Sequence, residues 1–130
     1  MPVIVVGADT PIGEAIMDAL LPRDGEVRAF VTSPGAAADL KARGVKVAIG
    51  DVSDGSHVGG AALNAFCAVL IEAAATDDRE RSFAGDPDEV VEAWIEGLDD
   101  AAVSRGIFVG SGPGDAATRL EAECAVVDPV

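Results

Sequence analysis

Tyrosine is absent from this sequence, histidine occurs once and cysteine twice. The single histidine, His57, stands in a polar, glycine-rich stretch without a carboxylate or cysteine at ligand spacing, so we interpret it as a surface residue. Cys67 and Cys124 form neither a C-x-x-C pair nor a His/Cys cluster, and we expect buried thiols, Cys67 in a strand and Cys124 in a helix. These absences argue against a metal site and against a Ser/His/acid or Cys/His catalytic group.

Long apolar runs and basic residues are also scarce. No run approaches the roughly 20 residues that a membrane-spanning helix needs, and no basic segment precedes an apolar one at the N-terminus, which favours the cytoplasm. Lys and Arg number 9 against 23 Asp and Glu, and the formal net charge of −14 argues against nucleic acid and anionic membranes as partners. The effect on a phosphate ligand is weaker, because charges farther than about 8 Å away are largely screened at physiological salt.

The composition is that of an ordinary folded α/β domain. With 130 residues, 49% of them hydrophobic and 25% charged, the chain has material for one core, and we expect a single domain over residues 1–130. Strands are predicted at residues 3–6, 26–31, 45–49, 65–71 and 107–109. Helices are predicted at residues 11–20, 34–43, 87–105 and 115–126, with a weak helix at best over the glycine-containing residues 56–63.

The opening segment indicates a strand, a tight turn and a helix. Residues 3–6 are uncharged and β-branched, as in a strand covered on both faces. Thr10 is the expected N-cap, and Pro11 suits the first turn of a helix because its missing N–H is no loss there. Such a turn directs helix N–H groups and the positive end of the helix dipole at one point, where a phosphate can bind.

The predicted helix at residues 87–105 begins at Asp86-Pro87 with a cap, a proline and two acidic residues in its first turn. Its apolar stripe is wider than a helix needs to rest on the edge of a sheet. Core packing is the favoured interpretation, and an isologous homodimer contact is the alternative. The stripe consists of Val90, Val91, Trp94, Ile95, Leu98, Ala101 and Ala102.

Gly7, Thr10 and Gly13 occupy the three positions of a G-x-x-G-x-x-G turn. This turn resembles that of the NmrA-like atypical short-chain dehydrogenases, and residues 27–34, 45–52 and 101–109 resemble further segments of the same family. The resemblance implies a doubly wound Rossmann-like three-layer α/β sandwich, with a parallel sheet of about five strands in the order 3-2-1-4-5. It also implies NADP or NAD as the ligand. The chain corresponds to the N-terminal part of such proteins.

The resemblance also implies which residues contact the dinucleotide. Gly7, Thr10, Pro11, Ile12 and Gly13 would lie at the diphosphate, Thr32 and Ser33 at the adenosine ribose, Asp51 and Val52 at the adenine, and Ala73 after the fourth strand. Thr32 and Ser33 select neither NAD nor NADP, since a carboxylate or an arginine would be needed there. Plainer interpretations are that Ser33 caps a helix and that Asp51 is a turn residue.

The segment after the fourth strand is the expected lid of this site, because ligands bind beyond the carboxyl ends of such strands. Residues 77–81 alternate in charge, and we expect them to be solvated. Glu72 would repel a diphosphate if it faced the first turn, unless Arg79 or Arg81 neutralised it.

Catalytic members of the resembled family use a tyrosine with a nearby lysine, helped by a serine after the fifth strand. Ser111 has the position of that serine, but tyrosine is absent and the only lysines are Lys41 and Lys46. We therefore predict a non-catalytic domain that binds a dinucleotide weakly or as a sensor. One alternative is a ligand-free interaction module, favoured by the net charge, by Glu72 and by a branched side chain, Thr10, at the middle glycine position of the turn. Another alternative is an oxidoreductase completed by dimerisation.

Overall fold

The computed structural model describes residues 2–23, 25–110 and 123–127. Strands and helices alternate along most of this length. The strands are β1 (Val3–Val6), β2 (Val27–Val31), β3 (Lys46–Ile49), β4 (Cys67–Ile71), β5 (Arg105–Val109) and β6 (Glu123–Val127). The helices are α1 (Pro11–Leu20), α2 (Pro34–Ala42), α3 (Gly55–Ala61), α4 (Ala73–Thr76) and α5 (Pro87–Asp100).

The strands of the described residues form one parallel sheet in the order β3-β2-β1-β4-β5-β6. The predicted order 3-2-1-4-5 is therefore confirmed, with a sixth strand added beside β5. β1 is central: Val3 is in register with Val27 of β2 on one side and with Cys67 of β4 on the other. Strands β2 and β3 are added on one side of β1, and strands β4 to β6 on the other. The strand order therefore reverses between β1 and β4, which is the switch point where doubly wound sheets bind ligands.

The helix predicted over residues 115–126 is wrong at its C-terminal end. Residues 115–122 lie outside the described residues, and Glu123–Val127 form β6 in register with β5, so Cys124 belongs to a strand. A short apolar run does not distinguish a strand from a helix by periodicity. Pairing with β5 decides the outcome here.

Both faces of the sheet are covered, because alternate residues of each strand point to opposite sides. Ile4 and Val6 of β1 belong to the core beneath α3 and α5, whereas Val3 and Val5 belong to the core beneath α1 and α2. This arrangement leaves the carboxyl ends of β1, β2 and β3 as the edge at which loops gather.

Helix α3 forms in full, although its glycines predict a weak helix. A Cβ on Gly59 would lie 3.0 Å from the Cα of Gly97 in α5, so the glycines allow the two helices to pack backbone against backbone. This tertiary contact stabilises a helix that propensity alone disfavours.

The apolar stripe of α5 is core, as the favoured interpretation predicted, except at Ala102, which is exposed beyond the end of the helix. Trp94 and Leu98 are fully buried, and the indole N–H of Trp94 donates to the main-chain oxygen of Val52 at 2.7 Å. The buried residues of the stripe belong to the chain's own core. The helix ends at Asp100 rather than at Gly106, which lies within β5.

None of the helices in the described part of the chain combines the length and apolarity that crossing a bilayer requires.

Candidate functional site

The first turn joins β1 to α1 and brings three backbone segments close together. Gly7 has φ +91°, and a Cβ there would lie 2.8 Å from the Cβ of Ala74. A Cβ on Gly13 would lie 2.8 Å from the Cα of Ala8 and would collide with the oxygen of Gly7. Gly7 thus permits the turn and Gly13 permits close packing of the helix on it.

Thr10 closes this turn from the inside. It is the N-cap of α1 and is only 1% exposed. Its hydroxyl donates to the oxygen of Gly7 at 2.8 Å and accepts from the N–H of Gly13 at 2.9 Å. The predicted cap is confirmed, and the side chain faces the interior rather than the surface over the helix N-terminus.

Of the N–H groups at the start of α1, one is capped by Thr10 and one is left for a ligand. Pro11 has no N–H, and the N–H of Gly13 is capped by Thr10. The N–H of Ile12 is the first-turn donor for which helical geometry supplies no acceptor. It lies at the positive end of the helix dipole, where an anionic group is stabilised.

The end of β2 is bound to the first turn by a carboxylate. Asp9 Oδ2 accepts from the N–H of Thr32 at 2.9 Å and from the N–H of Ser33 at 3.1 Å. Ser33 is also the N-cap of α2, with its hydroxyl accepting from the N–H of Ala36 at 3.4 Å, so the helix-cap interpretation is confirmed. The structure therefore brings Thr32 and Ser33 next to Thr10 and Gly13, through Asp9.

The charged segment after α4 packs over this junction instead of extending into solvent. The side chain of Arg79 is 11% exposed and donates to Asp9 Oδ1 at 2.8 Å. Nε and Nη2 of the same guanidinium donate to the two carboxylate oxygens of Asp77. Arg81 also pairs with Asp77, at 3.1 Å. The expectation of a solvated run is wrong at Arg79, because two carboxylates compensate for the burial of its charge.

These ion pairs shift the pKa values of the groups involved. Burial alone would raise the pKa of the Asp77 carboxyl, but the hydrogen bonds from Arg79 and Arg81 outweigh it and lower that pKa. For Arg79, burial alone would lower the pKa, and its bonds to Asp77 and Asp9 outweigh that effect and raise it. Both groups are therefore charged at neutral pH.

The end of β3 is bound to the same loop. Asp51 accepts from the N–H of Ser53 at 2.8 Å and from the N–H of Ser82 at 2.7 Å, and the N–H of Phe83 donates to Ser53 Oγ at 2.9 Å. Burial alone would raise the pKa of the Asp51 carboxyl, but the hydrogen bonds from the Ser53 hydroxyl and from the N–H groups of Ser82 and Ser53 outweigh it and lower that pKa. Val52 is fully buried, main chain included, and its main-chain oxygen already accepts from the Trp94 indole, so it offers a ligand no exposed surface.

Glu72 lies beside the end of β5, and its N–H donates to the oxygen of Val109 at 3.0 Å. A Cβ on Gly110, at the end of β5, would collide with the Glu72 carboxylate. Ala73 begins the short helix α4 directly after it, and the oxygen of Ala73 accepts from the N–H of Asp77 at 2.9 Å. The Glu72 carboxylate thus lies beside Gly110, and its repulsion of a diphosphate stays a prediction.

Sequence reasoning missed Asp9 as a site residue. The only local signal was a carboxylate inside a glycine-containing turn, and its partner Arg79 is 70 positions away. Lys41 lies in α2 and Lys46 in the outer strand β3, apart from the first turn. Ser111 lies outside the described residues. His57 is exposed, as predicted.

Comparisons with known proteins agree with this fold. The model of a family described as NAD(P)H-binding matches residues 7–122. No curated protein sequence matches the chain significantly.

Among solved structures, the triphenylmethane reductase of Citrobacter sp. complexed with NADP(H) is similar, with a TM-score of 0.70 and 18% identity over 85% of this chain and 37% of that one. ChuY, an anaerobillin reductase from Escherichia coli O157:H7, has a TM-score of 0.66 and 28% identity over 93% of this chain and 56% of that one. The NADPH-dependent quinone oxidoreductase QOR2 of Escherichia coli has a TM-score of 0.66 and 19% identity over 90% of this chain and 41% of that one. The chain thus spans between about a third and just over half of these proteins.

Proposed function

Because this chain belongs to the NAD(P)H-binding family, we propose that it binds a nicotinamide dinucleotide across the carboxyl ends of β1, β2 and β3 and has no turnover of its own. The observation that carries the proposal is the first turn. Gly7 is required by its positive φ and its contact with Ala74, and Gly13 by close backbone contacts. The threonine is turned inward, and the N–H of Ile12 is left at the N-terminus of α1. These features fit a diphosphate at that point.

Other residues are assigned by their position along the same edge. Gly7, Thr10, Pro11, Ile12 and Gly13 form the diphosphate turn. Thr32 and Ser33 follow β2 and would lie beside the adenosine ribose, and Asp51 would lie beside the adenine, with Ala73 on the β4 side. Asp51 also accepts from the N–H of Ser82, so the adenine would bind against the junction of β3 with that loop.

The acidity of the chain is partly offset at the junction of the first turn with the loop after α4. The carboxylates of Asp9 and Asp77 are balanced there by the guanidinium groups of Arg79 and Arg81. Since distant charges are screened within about 8 Å at physiological salt, the net charge of −14 opposes a dinucleotide only weakly.

The absence of turnover rests on the residues that proton transfer would need. A bound nicotinamide supplies hydride transfer, but reduction of a carbonyl also needs an acid, and the sequence has no tyrosine and only two lysines, Lys41 and Lys46. Dinucleotide binding for sensing or for a partner's chemistry is the function that these residues support.

A second candidate is the cofactor domain of a reductase whose substrate groups come from elsewhere. The observation that favours it is the similarity to three reductases, including ChuY with 28% identity over 93% of this chain. Oxidation of NADH or NADPH by the purified chain with a quinone or a dye would support this candidate against the first.

Calorimetric titration with NADH and NADPH tests the proposal, together with Pro11→Glu. Pro11 is exposed at the first position of α1, where a glutamate suits the helix dipole but repels a diphosphate. Two like charges about 4 Å apart repel by about 4 kcal/mol at an effective dielectric constant of about 20, so even a third of that weakens binding about tenfold.

Pro87→Glu is the matched control, because Pro87 is exposed at the same position of α5. We expect the wild-type protein and this control to bind equally, and Pro11→Glu to bind at least about tenfold more weakly. No heat from the wild-type protein at millimolar dinucleotide would contradict the proposal. Undiminished binding by folded Pro11→Glu would contradict the diphosphate assignment.

A further inference from the structure

The end of β2 is where doubly wound folds distinguish the two nicotinamide dinucleotides. A carboxylate there hydrogen-bonds the adenosine ribose of NAD, whereas an arginine accommodates the 2′-phosphate of NADP. In this chain Thr32 and Ser33 follow β2, and the carboxylate reaches their N–H groups from Asp9 in the first turn. The side chain of Asp9 is only 6% exposed.

The hydrogen bonds of Asp9 leave room for one more donor. An ionised carboxylate has about four acceptor positions. Oδ2 uses two of them for the N–H groups of Thr32 and Ser33, and Oδ1 uses one for Arg79. One position on Oδ1 is left, which suits a ribose hydroxyl as donor. A phosphate brings acceptors rather than donors at neutral pH and gains nothing from this oxygen.

Arg79 is the cation nearest to this point, and its guanidinium is already committed. Nε and Nη2 each donate to Asp77 at 2.8 Å, and Nη1 donates to Asp9 at 2.8 Å and lies 3.3 Å from Thr32 Oγ1. A 2′-phosphate would have to take Nη1 and the two N–H groups away from Asp9. That exchange would leave a nearly buried carboxylate unpaired beside a second anion, which is unfavourable.

From this geometry we infer that Asp9 makes the chain select NAD(H) over NADP(H), by holding a carboxylate on the N–H groups of Thr32 and Ser33. The inference rests on the proposed function. It assigns to the first turn a discrimination that the residues following β2 do not themselves supply. The neighbouring structures named above with NADP(H) or NADPH share the fold at under 20% identity, which leaves this choice to the chain's own residues.

The test is calorimetric titration of the full chain with NADH and NADPH at one modest ionic strength. Since each hydrogen bond to a charged group contributes about 1.5–3 kcal/mol, we expect NADH to bind at least about tenfold more tightly than NADPH. Asp9→Asn keeps the size of the side chain and removes its charge, and should bring the ratio of the two dissociation constants close to one.

Asp18→Asn is the matched control. It removes the same charge from α1 at an exposed residue that pairs with Arg43. This control should keep the wild-type ratio. Titration of the wild-type protein with ADP-ribose and 2′-phospho-ADP-ribose gives the same comparison without any variant, and the former should bind more tightly.

Three results would overturn the inference while leaving the proposed function intact: equal binding of both dinucleotides, tighter binding of NADPH, or an unchanged ratio in folded Asp9→Asn. A shift of the ratio in Asp18→Asn as large as that in Asp9→Asn would also overturn it, because the effect would then be one of net charge. Binding of neither dinucleotide to the wild-type protein would overturn the proposed function and this inference together.

Discussion

Thr10 stands where the G-x-x-G-x-x-G pattern has its middle glycine. Replacing it with valine separates the effect of its branched shape from that of its hydroxyl. Valine keeps the branched shape and suits the extended backbone of Thr10, at φ −93° and ψ 160°, but it has no hydroxyl. The N–H of Gly13 would lose its acceptor, and the oxygen of Gly7 would keep only the N–H of Thr10, at 3.1 Å. Thr10→Val should therefore destabilise the fold without reshaping the surface of the turn.

The magnitude follows from the two bonds. Loss of an N-cap costs about 0.5–2 kcal/mol, and an unpaired buried N–H costs about 1–3 kcal/mol, so we expect about 2 kcal/mol in the free energy of unfolding. For a domain of this length that corresponds to a fall in Tm of roughly 6–10 °C. Urea and thermal denaturation followed by circular dichroism measure both quantities.

Ser33→Ala is the matched control, since Ser33 also caps a helix that begins with proline. It is exposed, and its bond to the N–H of Ala36 is long, at 3.4 Å, so we expect a cost below about 1 kcal/mol. Equal stability of Thr10→Val and the wild-type protein would refute the cap. Thr10→Gly adds a binding test: if it bound a dinucleotide at least about tenfold more tightly, the threonine would be obstructing the site and our placement of its side chain would be wrong.

Two further predictions concern the turn and the loop above it. Gly7→Ala and Gly44→Ala each place a Cβ at a φ near +90°, but only at Gly7 does the Cβ meet another atom, so urea denaturation should show Gly7→Ala costing about 1–3 kcal/mol more; equal costs would contradict the close contact with Ala74. Folding lowers the pKa of the Asp77 and Asp51 carboxyls from the ordinary value of 3.8, so these carboxylates stabilise the fold at a pH above that value. This stabilisation is lost as the pH falls through the pKa of the folded state. The free energy of unfolding should thus decrease below about pH 4, and by less in Asp77→Asn; the same decrease in both proteins would count against the ion pairs.

Much of the fold could be predicted because its signals are local. The β-branched run at β1, the cap and proline that begin α1, α2 and α5, and the alternation of strands with helices lie within a few residues of one another. The G-x-x-G-x-x-G spacing then gave the strand order through a family resemblance. Errors fell where the local pattern is ambiguous, as in β6, which is short and apolar and becomes a strand because β5 lies beside it.

The candidate site could be predicted less completely. The turn at Gly7 and Gly13 was found because the spacing of its glycines lies within seven residues, although the contact that excludes a side chain at Gly7 is with the distant Ala74. The positions after β2 and β3 were found through the same resemblance, but their partners in space were not. Thr32 and Ser33 give no sign in sequence that Asp9 caps their N–H groups, and the charge alternation near Arg79 is the usual pattern of a solvated segment.

By itself the sequence determined the strand, turn and helix at residues 3–20, the alternation that requires a parallel sheet, and the lack of a tyrosine for proton transfer. Each depends on residue types and short spacings, which act before distant segments meet. Only the tertiary structure decided that Thr10 turns inward, that Glu72 lies beside Gly110, and that Arg79 closes on Asp9 across 70 positions. Those outcomes depend on which loops share one edge of the sheet, where burial makes a charge or hydroxyl take whatever partner the fold brings near.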